Sequence, residues 1–259
     1  MNTEELKQIT EKLLSTFIKA GQESLDLRKK GLKKMIKADN TSVTNGDIEI
    51  DRIIRHKISI ITPNIPLISE ETVDIKKKNF HKNFWLIDPI DGTSDYIKNK
   101  DEFTLNASLI INFEPVLGII YAPAKKRLFY SYGYRNAFEN FEDNKIKLEC
   151  KKKNKNNKII AVSYSSTPSE EITNIYKKYY VEKFINMRSS YKFCVIASGE
   201  FDIYVAEARA FEWDIAAGHA IVLHAGGIVT TLEGNNFKYG KPDYKNYSLL
   251  VKRSEKLSE

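Results

Sequence analysis

Apolar residues recur every three or four positions near the start of the chain, the pattern of helices that bury one face. The first helix is predicted over residues 3–20, with Asn2 and Glu5 at the spacing of a capping box. A polar segment separates it from a second predicted helix, at whose start Thr44 and Asp47 have the same spacing. The apolar positions of the two helices are Leu6, Ile9, Leu13 and Phe17, then Ile48, Ile54, Ile58 and Ile61.

Strands are predicted in the middle of the chain, where the apolar runs become shorter. One begins at Leu67, and a second apolar run from Phe84 is predicted to stop at Asp88 because Pro89 breaks it. Residues 103–109 alternate between apolar and polar side chains, the pattern of a half-exposed strand. Further strands are predicted at residues 116–121 and 127–134. The turn residues between these strands favour an antiparallel meander.

Helices and strands alternate in the last part of the chain, after a lysine- and asparagine-rich run at residues 151–158. Strands are predicted at residues 159–164, 183–187 and 201–205, and helices at residues 168–180, 190–199 and 213–226. This alternation is typical of an α/β layer. We therefore predict an α/β protein with an α+β subdomain over residues 1–150. An α/β subdomain over residues 151–259 would complete it, with the functional site between the two.

The composition narrows the class of protein. Hydrophobic residues make up 42% of the chain, enough for a substantial core, and no apolar run approaches the length of a membrane helix. The first residues are polar and acidic, unlike a secretory signal. Cys150 and Cys194 cannot form a disulfide framework, which favours a reducing compartment. The net charge of +7 is concentrated in the lysine run, predicted to be a solvated loop. We expect a cytoplasmic enzyme without a membrane partner.

The most informative stretch of the chain couples two acids to the start of a helix. Asp88 and Asp91 end an apolar run, and Gly92, Thr93 and Ser94 follow directly and open a predicted helix. Carboxylates beside the free backbone amides of a helix start suit divalent cations that are held against a phosphate. This arrangement indicates metal-assisted phosphate chemistry.

Two further acids extend this set, Glu70 after a predicted strand and Asp214 at the start of a predicted helix. Each of the four acids could instead serve the fold as a turn residue, a helix cap or an exposed acid. Turn formation alone, however, does not require Gly-Thr-Ser directly behind the acids. The histidines show no zinc spacing; they are His56, His81, His219 and His224. The pattern therefore predicts a site for a hard divalent metal ion such as Mg²⁺, which prefers oxygen ligands.

Three motifs contain these acids: Trp-Leu-Ile-Asp-Pro-Ile-Asp-Gly-Thr at residues 85–93, Ser-Glu-Glu at residues 69–71 and Trp-Asp-Ile-Ala-Ala-Gly-His at residues 213–219. Together they resemble the inositol monophosphatase superfamily of Mg²⁺-dependent, lithium-sensitive phosphatases. The resemblance covers nearly the whole chain and implies a layered α/β/α/β/α sandwich. Within the superfamily the chain is most similar to the 3′(2′),5′-bisphosphate nucleotidases. The segments that carry this similarity are residues 37–40, 43–47, 95–98, 102–106, 189–194 and 240–244.

The resemblance also implies roles for individual residues. The implied ligands of two or three Mg²⁺ ions are Glu70, Asp88, Asp91, Asp214 and the carbonyl of Ile90. The implied phosphate contacts are Gly92, Thr93 and Ser94, and the implied contacts to the rest of the substrate are Ser189, Ser190 and Lys192. Thr93 paired with Asp47 would orient or deprotonate the attacking water. We treat these roles as hypotheses for the structure to examine.

Some positions depart from the nucleotidase pattern without touching the implied metal ligands. This chain has Arg188 where the pattern has glycine, Tyr191 where it has leucine, Ile215 where it has threonine, and Val205-Ala206 where it has Pro-Arg. The pair Asn45-Gly46 is also unusual before Asp47. Isoleucine at position 215 is more similar to the inositol branch of the superfamily. These departures therefore concern the choice of substrate more than the metal chemistry.

The resemblance implies hydrolysis of a small phosphate ester, 3′-phosphoadenosine 5′-phosphate, to AMP and phosphate by metal-activated water. A first alternative is the same chemistry on inositol monophosphate or fructose 1,6-bisphosphate, which Arg188 and Ile215 keep open. A second is nucleic-acid binding, which is less favoured because tyrosines at every second position mostly pack on one face of a sheet. The residues considered for it are Tyr130, Tyr132, Tyr134, Arg135 and the lysine run. A monomer and a homodimer both fit the sequence.

Overall fold

The computed structural model describes residues 1–36, 42–75, 80–142, 144–150 and 158–257. Helix α1 (Thr3–Lys30) begins at the predicted capping box, where the Asn2 side chain accepts the Glu5 N–H at 2.9 Å. The helix continues beyond the predicted end at residue 20, because Gly21 and Ser24 prolong its buried face while polar side chains cover the other. It ends at Gly31, whose φ of +97° is open to glycine and stops the helix.

Helix α2 (Asn45–Ile61) starts at the second predicted capping box, which Thr44 and Asp47 form. Ile54 and Ile58 are fully buried as the spacing suggests, but Ile48 is 47% exposed and Ile50 takes the buried position one turn before Ile54. The polar segment between the helices contains a short antiparallel pair that the sequence pattern did not indicate. Its strands are β1 (Lys34–Ile36) and β2 (Ser42–Thr44).

The larger of the two main sheets has seven strands in chain order among the described residues. They are β3 (Leu67–Ser69), β4 (Phe84–Asp91), β5 (Thr104–Ile111), β6 (Glu114–Ala122), β7 (Arg127–Ser131), β8 (Ala137–Phe141) and β9 (Asn144–Lys147). Strand β3 runs parallel to β4, and every later pair is antiparallel, so the predicted meander is confirmed. The sequence analysis missed β8 and β9, which lie at the edge of the sheet and carry many polar side chains.

Two predictions about this sheet were wrong. Pro89 does not end its strand: β4 continues to Asp91, with a shift of register between Asp88 and Asp91 that accommodates the proline. Strand β5 is not half-exposed, because helices cover both of its faces and every residue from 104 to 110 is buried. Its polar residues are buried as well, and Asn106 and Thr104 pair across the sheet with Asp88 and Asp91. The polar positions of β5 therefore support the loop that carries the acids.

The smaller main sheet has the strand order β11-β10-β12-β14-β13. Its strands are β10 (Ile159–Ser163), β11 (Val181–Asn186), β12 (Ile203–Ala206), β13 (Ile228–Thr230) and β14 (Leu249–Lys252). The remaining helices are α3 (Thr93–Ile97), α4 (Glu170–Lys178), α5 (Tyr191–Ala197) and α6 (Glu212–His224). The alternation predicted from residue 159 to residue 226 is confirmed to within a few residues, whereas β13 and β14 were not predicted.

Helices and sheets stack in five layers. Helices α1 and α2 cover one face of the larger sheet, α5 and α6 lie between the two sheets, and α4 covers the far face of the smaller sheet. Helix α6 approaches the larger sheet so closely that a Cβ added at Gly118 would lie 2.4 Å from the carbonyl oxygen of Ala217. The predicted α/β/α/β/α sandwich is confirmed. Because α6 lies in the middle layer, its first turn brings Asp214 to the end of β4.

Two segments used in the sequence analysis lie outside the described residues: all of residues 37–40, and the lysine run except for Lys158. Among the residues that the structure does describe, no helix is both long enough and apolar enough to cross a membrane.

Candidate active site

Three of the predicted acids come together from three separate elements. Carboxylate oxygens of Glu70, Asp88 and Asp214 all lie within 4.8 Å of one another. Glu70 directly follows β3, and its N–H donates to the carbonyl of Ile87 on β4 at 3.1 Å. Asp214 is held in the first turn of α6, where its side chain accepts the N–H of Phe211 at 2.8 Å. Backbone hydrogen bonds thus place the outer two acids around Asp88.

Asp91, the fourth acid, lies beside this group but not within it. One of its carboxylate oxygens accepts a short hydrogen bond from the backbone N–H of Ser190, which precedes α5. Burial is the main cause that raises the pKa of both Asp88 and Asp214, and the negative charge of Asp91 adds to both shifts. The Ile90 carbonyl, another predicted ligand, accepts a hydrogen bond from the Thr93 hydroxyl at 3.0 Å.

The electrostatics of this cluster favour a cation. Burial raises the pKa of Asp88 well above its ordinary value, and the neighbouring negative charge of Glu70 raises it further. Burial, followed by the charge of Asp91, raises the pKa of Asp214 to about 7. Asp88 is 1% exposed, and its Oδ1 is hydrogen-bonded to no residue that the structure describes. A buried carboxylate oxygen without a donor, among other carboxylates, fits a hard divalent cation such as Mg²⁺.

Asp47 uses its two carboxylate oxygens for different contacts. Its Oδ2 accepts the Thr44 N–H at 2.8 Å and the Thr44 hydroxyl at 2.6 Å, which completes the cap of α2. Its Oδ1 accepts the Thr93 hydroxyl at 3.1 Å. The predicted Thr93–Asp47 pair therefore exists beside the cap. Burial raises the pKa of Asp47, and the hydrogen bonds from Thr44 oppose this effect.

The segment that was expected to hold a phosphate lines a cleft next to the acids. Gly92, Thr93 and Ser94 all contribute to a cavity of about 220 Å³. Gly92 has a φ of +89°, and an added Cβ would lie 2.9 Å from the carbonyl oxygen of Glu102, so glycine is required for this turn. The turn starts helix α3 directly behind Asp91.

The three residues expected to contact the rest of the substrate are all buried, but they face different ways. Lys192 lines the cleft, and its Nζ donates to the carbonyl of Ser189 at 2.7 Å. The Ser190 hydroxyl points instead to β5, where it lies 2.6 Å from Asn106 Oδ1 and 2.7 Å from the Thr104 hydroxyl. Ser190 therefore supports Asp91 from behind, through its backbone N–H.

The cleft also contains residues that the sequence analysis did not select. Tyr164 and Arg209 lie on its wall, with the guanidinium carbon of Arg209 3.3 Å from the centre of the Tyr164 ring. Arg188 and Lys192 line the same region, and so does Ile215. Neither Tyr164 nor Arg209 lies in a motif, and only the fold brings them together. The lining of the cleft thus combines carboxylates with basic side chains and an aromatic ring.

The tyrosines considered for nucleic-acid binding are mostly inaccessible. Tyr130 and Tyr132 are 2% and 6% exposed, and each ring stacks on Phe138 with centroids 5.6 Å apart. Of these three tyrosines, only Tyr134 presents an exposed ring. This arrangement gives no platform on which successive bases could stack.

Comparison with known proteins identifies the family of this chain. The family model described as the inositol monophosphatase family matches residues 3–259. The 3′(2′),5′-bisphosphate nucleotidase CysQ of Buchnera aphidicola (subsp. Acyrthosiphon pisum) is 41% identical over 212 residues, which cover 78% of this chain and 76% of that protein. The crystal structure of CysQ from Bacteroides thetaiotaomicron is 30% identical, covers 93% of this chain and 96% of its own, and superposes with a TM-score of 0.76. An IMPase/NADP phosphatase complexed with Mg²⁺ and phosphate shares the fold at 20% identity, with a TM-score of 0.78 over 96% of this chain and 91% of that one. The chain belongs to the inositol monophosphatase family.

Proposed function

We propose that this protein is a Mg²⁺-dependent 3′(2′),5′-bisphosphate nucleotidase that hydrolyses 3′-phosphoadenosine 5′-phosphate to AMP and phosphate. The observation that carries the proposal is the unpartnered, buried Asp88 oxygen among carboxylates from three elements. The relatives named CysQ 3′(2′),5′-bisphosphate nucleotidase support the choice of reaction.

Mg²⁺ would be held by Glu70, Asp88, Asp91 and Asp214 together with the Ile90 carbonyl, as two or three ions. When bound, such ions lower the pKa of a coordinated water and neutralise the charge on a leaving oxygen. The cluster fits this chemistry because its negative charges repel one another and because Asp88, which they surround, is buried.

The chain's own contribution to the attack on phosphorus is the Thr93–Asp47 pair. When the Thr93 hydroxyl donates its hydrogen bond to Asp47 Oδ1, the hydroxyl oxygen of Thr93 is oriented to accept a proton from the attacking water while its own proton passes to Asp47. The raised pKa of Asp47 makes this carboxylate a better proton acceptor. Gly92 and Ser94 would hold the scissile phosphate at the same turn. No covalent intermediate is required.

The basic side chains that line the cleft support a substrate with a second phosphate. Arg188, Lys192 and Arg209 provide three cationic side chains on the wall of the cleft that Asp91 and Asp214 also line, and Tyr164 adds an aromatic face. A bisphosphorylated nucleotide has a second phosphate that the cationic side chains can bind and a planar base that can stack on the Tyr164 ring. Inositol monophosphate is the second candidate, because Ile215 lines the cleft and isoleucine at this position is more similar to the inositol branch.

The test compares phosphate release from 3′-phosphoadenosine 5′-phosphate, inositol 1-phosphate and fructose 1,6-bisphosphate at one Mg²⁺ concentration, without and with added Li⁺. We expect the nucleotide to be hydrolysed fastest, with inhibition by Li⁺. Faster hydrolysis of the inositol ester would keep the metal chemistry and overturn the substrate. Activity that persists after Mg²⁺ is chelated would overturn the mechanism.

The proposal also covers the subdomains that form the cleft, the cellular location of the protein and its partner. The cleft would lie between two subdomains, residues 1–150 and 151–259, with Asp214 supplied by the second. A cytoplasmic location is supported by Cys150 and Cys194, which are both buried and unpaired, as expected in a reducing compartment. A small phosphate ester is the proposed partner, and limited binding of nucleic acid is expected because Tyr130 and Tyr132 are buried.

A further inference from the structure

The structure shows what the hydroxyl of Tyr191 does. Tyr191 is the first residue of α5 and is 6% exposed, and its hydroxyl accepts a hydrogen bond from Arg127 Nη1 at 2.5 Å. Arg127 is the first residue of β7 in the larger sheet. Tyr191 is absent from the lining of the cleft. The side chain at this position therefore binds the sheet and does not face the substrate.

The same guanidinium also holds the other end of α5. Arg127 Nη2 donates to Glu200 Oε1 at 2.5 Å, and this oxygen accepts the hydroxyl of Ser198, the residue that ends α5, at 2.8 Å. Arg127 is itself fixed by Glu139 on β8, which accepts Nε at 2.5 Å and Nη2 at 3.1 Å. Glu139 is 4% exposed, so this pair is largely removed from water. One side chain thus ties both ends of a short helix to the larger sheet.

Helix α5 is tied to the candidate active site on its other side. Ser190 precedes the helix and donates its backbone N–H to the Asp91 carboxylate. Lys192 lies in the first turn and lines the cleft. A helix of seven residues contributes little stability of its own, so its position depends on such tertiary contacts. Any shift of α5 would move the donor to Asp91 and the cation in the cleft together.

We propose that Arg127 is a positioning residue. By fixing α5 it holds Ser190 against Asp91 and Lys192 in the cleft, and it thereby sets the affinity for Mg²⁺ and for the phosphate ester. The part that concerns the ester rests on the proposed function. The part that concerns Mg²⁺ requires only the carboxylate cluster.

The test uses Arg127→Gln, Arg127→Lys and Tyr191→Phe in the full chain. Tyr191→Phe removes only the hydroxyl and keeps the ring against Phe129, whose centroid is 6.1 Å away, so this variant is expected to fold. The Kd for Mg²⁺ is measured by titration calorimetry without substrate, and KM and kcat are measured separately. For Arg127→Gln we expect the Kd and KM to rise about threefold to tenfold, with a smaller change in kcat. Arg127→Lys, which keeps the charge, should restore part of the loss.

The control is Lys158→Gln, which removes an exposed ion pair with Glu182 at 2.8 Å on the smaller sheet and should leave every constant unchanged. An Arg127→Gln variant with a lower Tm but an unchanged Kd for Mg²⁺ would overturn the proposal. If that variant does not fold, an unchanged Kd in Tyr191→Phe would do the same. Additive effects of Arg127→Gln and Tyr191→Phe in the double variant would also count against it. Should the wild type fail to hydrolyse the nucleotide, the calorimetry would still decide the role of Arg127.

Discussion

Replacing Asp88 by asparagine is expected to stabilise the metal-free protein while it abolishes activity. The replacement keeps the shape of the side chain and removes a charge whose oxygen lies within 4.8 Å of those of Glu70 and Asp214. At this distance and an effective dielectric constant of about 20, each repulsion between unit charges amounts to about 3.5 kcal/mol. The raised pKa of Asp88 allows the carboxyl group to take up a proton and relieve part of this repulsion. We therefore expect a net gain of about 2 kcal/mol in the free energy of unfolding.

The assay is thermal unfolding at neutral pH, first with a chelator and then with Mg²⁺. In a protein of this size, about 2 kcal/mol corresponds to a rise in Tm of about 4–8 °C for metal-free Asp88→Asn. Mg²⁺ at about ten times its Kd should stabilise the wild type by about 1.4 kcal/mol, and Asp88→Asn by much less. The advantage of the variant should therefore shrink when the metal is added.

Asp51 supplies the matched control. It is also a buried aspartate, 2% exposed, but its oxygens accept Ser69 Oγ at 2.5 Å and Arg55 Nε at 2.7 Å. Because its charge is compensated, Asp51→Asn should lower the Tm of the metal-free protein. The reasoning would be refuted if Asp88→Asn also lowered the Tm, or if Mg²⁺ raised the Tm of Asp88→Asn as much as that of the wild type.

Three further predictions concern catalysis, acid stability and substrate choice. Thr93→Val should lower kcat about a hundredfold with little change in urea stability, because the helix cap on Asp47 remains; an unchanged kcat would remove the pair from the mechanism. Burial lowers the pKa of His224 from 6.5 to about 4, so its contribution to stability is present above pH 6.5 and is lost as the pH falls toward 4. His224→Asn can keep the hydrogen bond from the Gly133 N–H. When the pH falls from about 7.5 to about 5.5, the free energy of unfolding measured in urea should fall by about 1.4 kcal/mol less in this variant than in the wild type. Equal decreases would contradict this assignment. Arg209→Ala should raise KM for 3′-phosphoadenosine 5′-phosphate about tenfold and leave KM for inositol 1-phosphate unchanged; equal rises would place Arg209 outside a second phosphate subsite.

Local rules accounted for the parts of the fold that neighbouring residues decide. The capping boxes at Asn2 and Thr44 were predictable because a cap depends on residues three positions apart. The acids Asp88 and Asp91 were identified because the motif that contains them is contiguous. The end of β4 was predicted wrongly from the same motif, because whether Pro89 ends a strand depends on the neighbouring strand that pairs with it.

The burial of both faces of β5 was not predictable from the alternation of apolar and polar residues along this strand. Thr104 and Asn106 have the polar spacing of a solvent-facing strand, yet they are buried and bonded to Ser190, which is distant in sequence. The meeting of Tyr164 and Arg209 in the cleft likewise depends on how the loops after β10 and β12 are placed. Such contacts follow from the tertiary arrangement, which no local pattern encodes.

The position of β14 has a consequence for how the protein is made. This strand lies between β12 and β13 in the smaller sheet, although Leu249 follows Asp214 by a long stretch of chain. During synthesis the larger sheet can form first, together with β10, β11 and β12 of the smaller sheet, but β13 pairs only with β14 among the described strands. A ribosome stalled before residue 249 would therefore carry a nascent chain in which β13, the strand that packs on α6, has no strand to pair with. The smaller sheet is in this way completed late in translation, on the side where it covers the helix that carries Asp214.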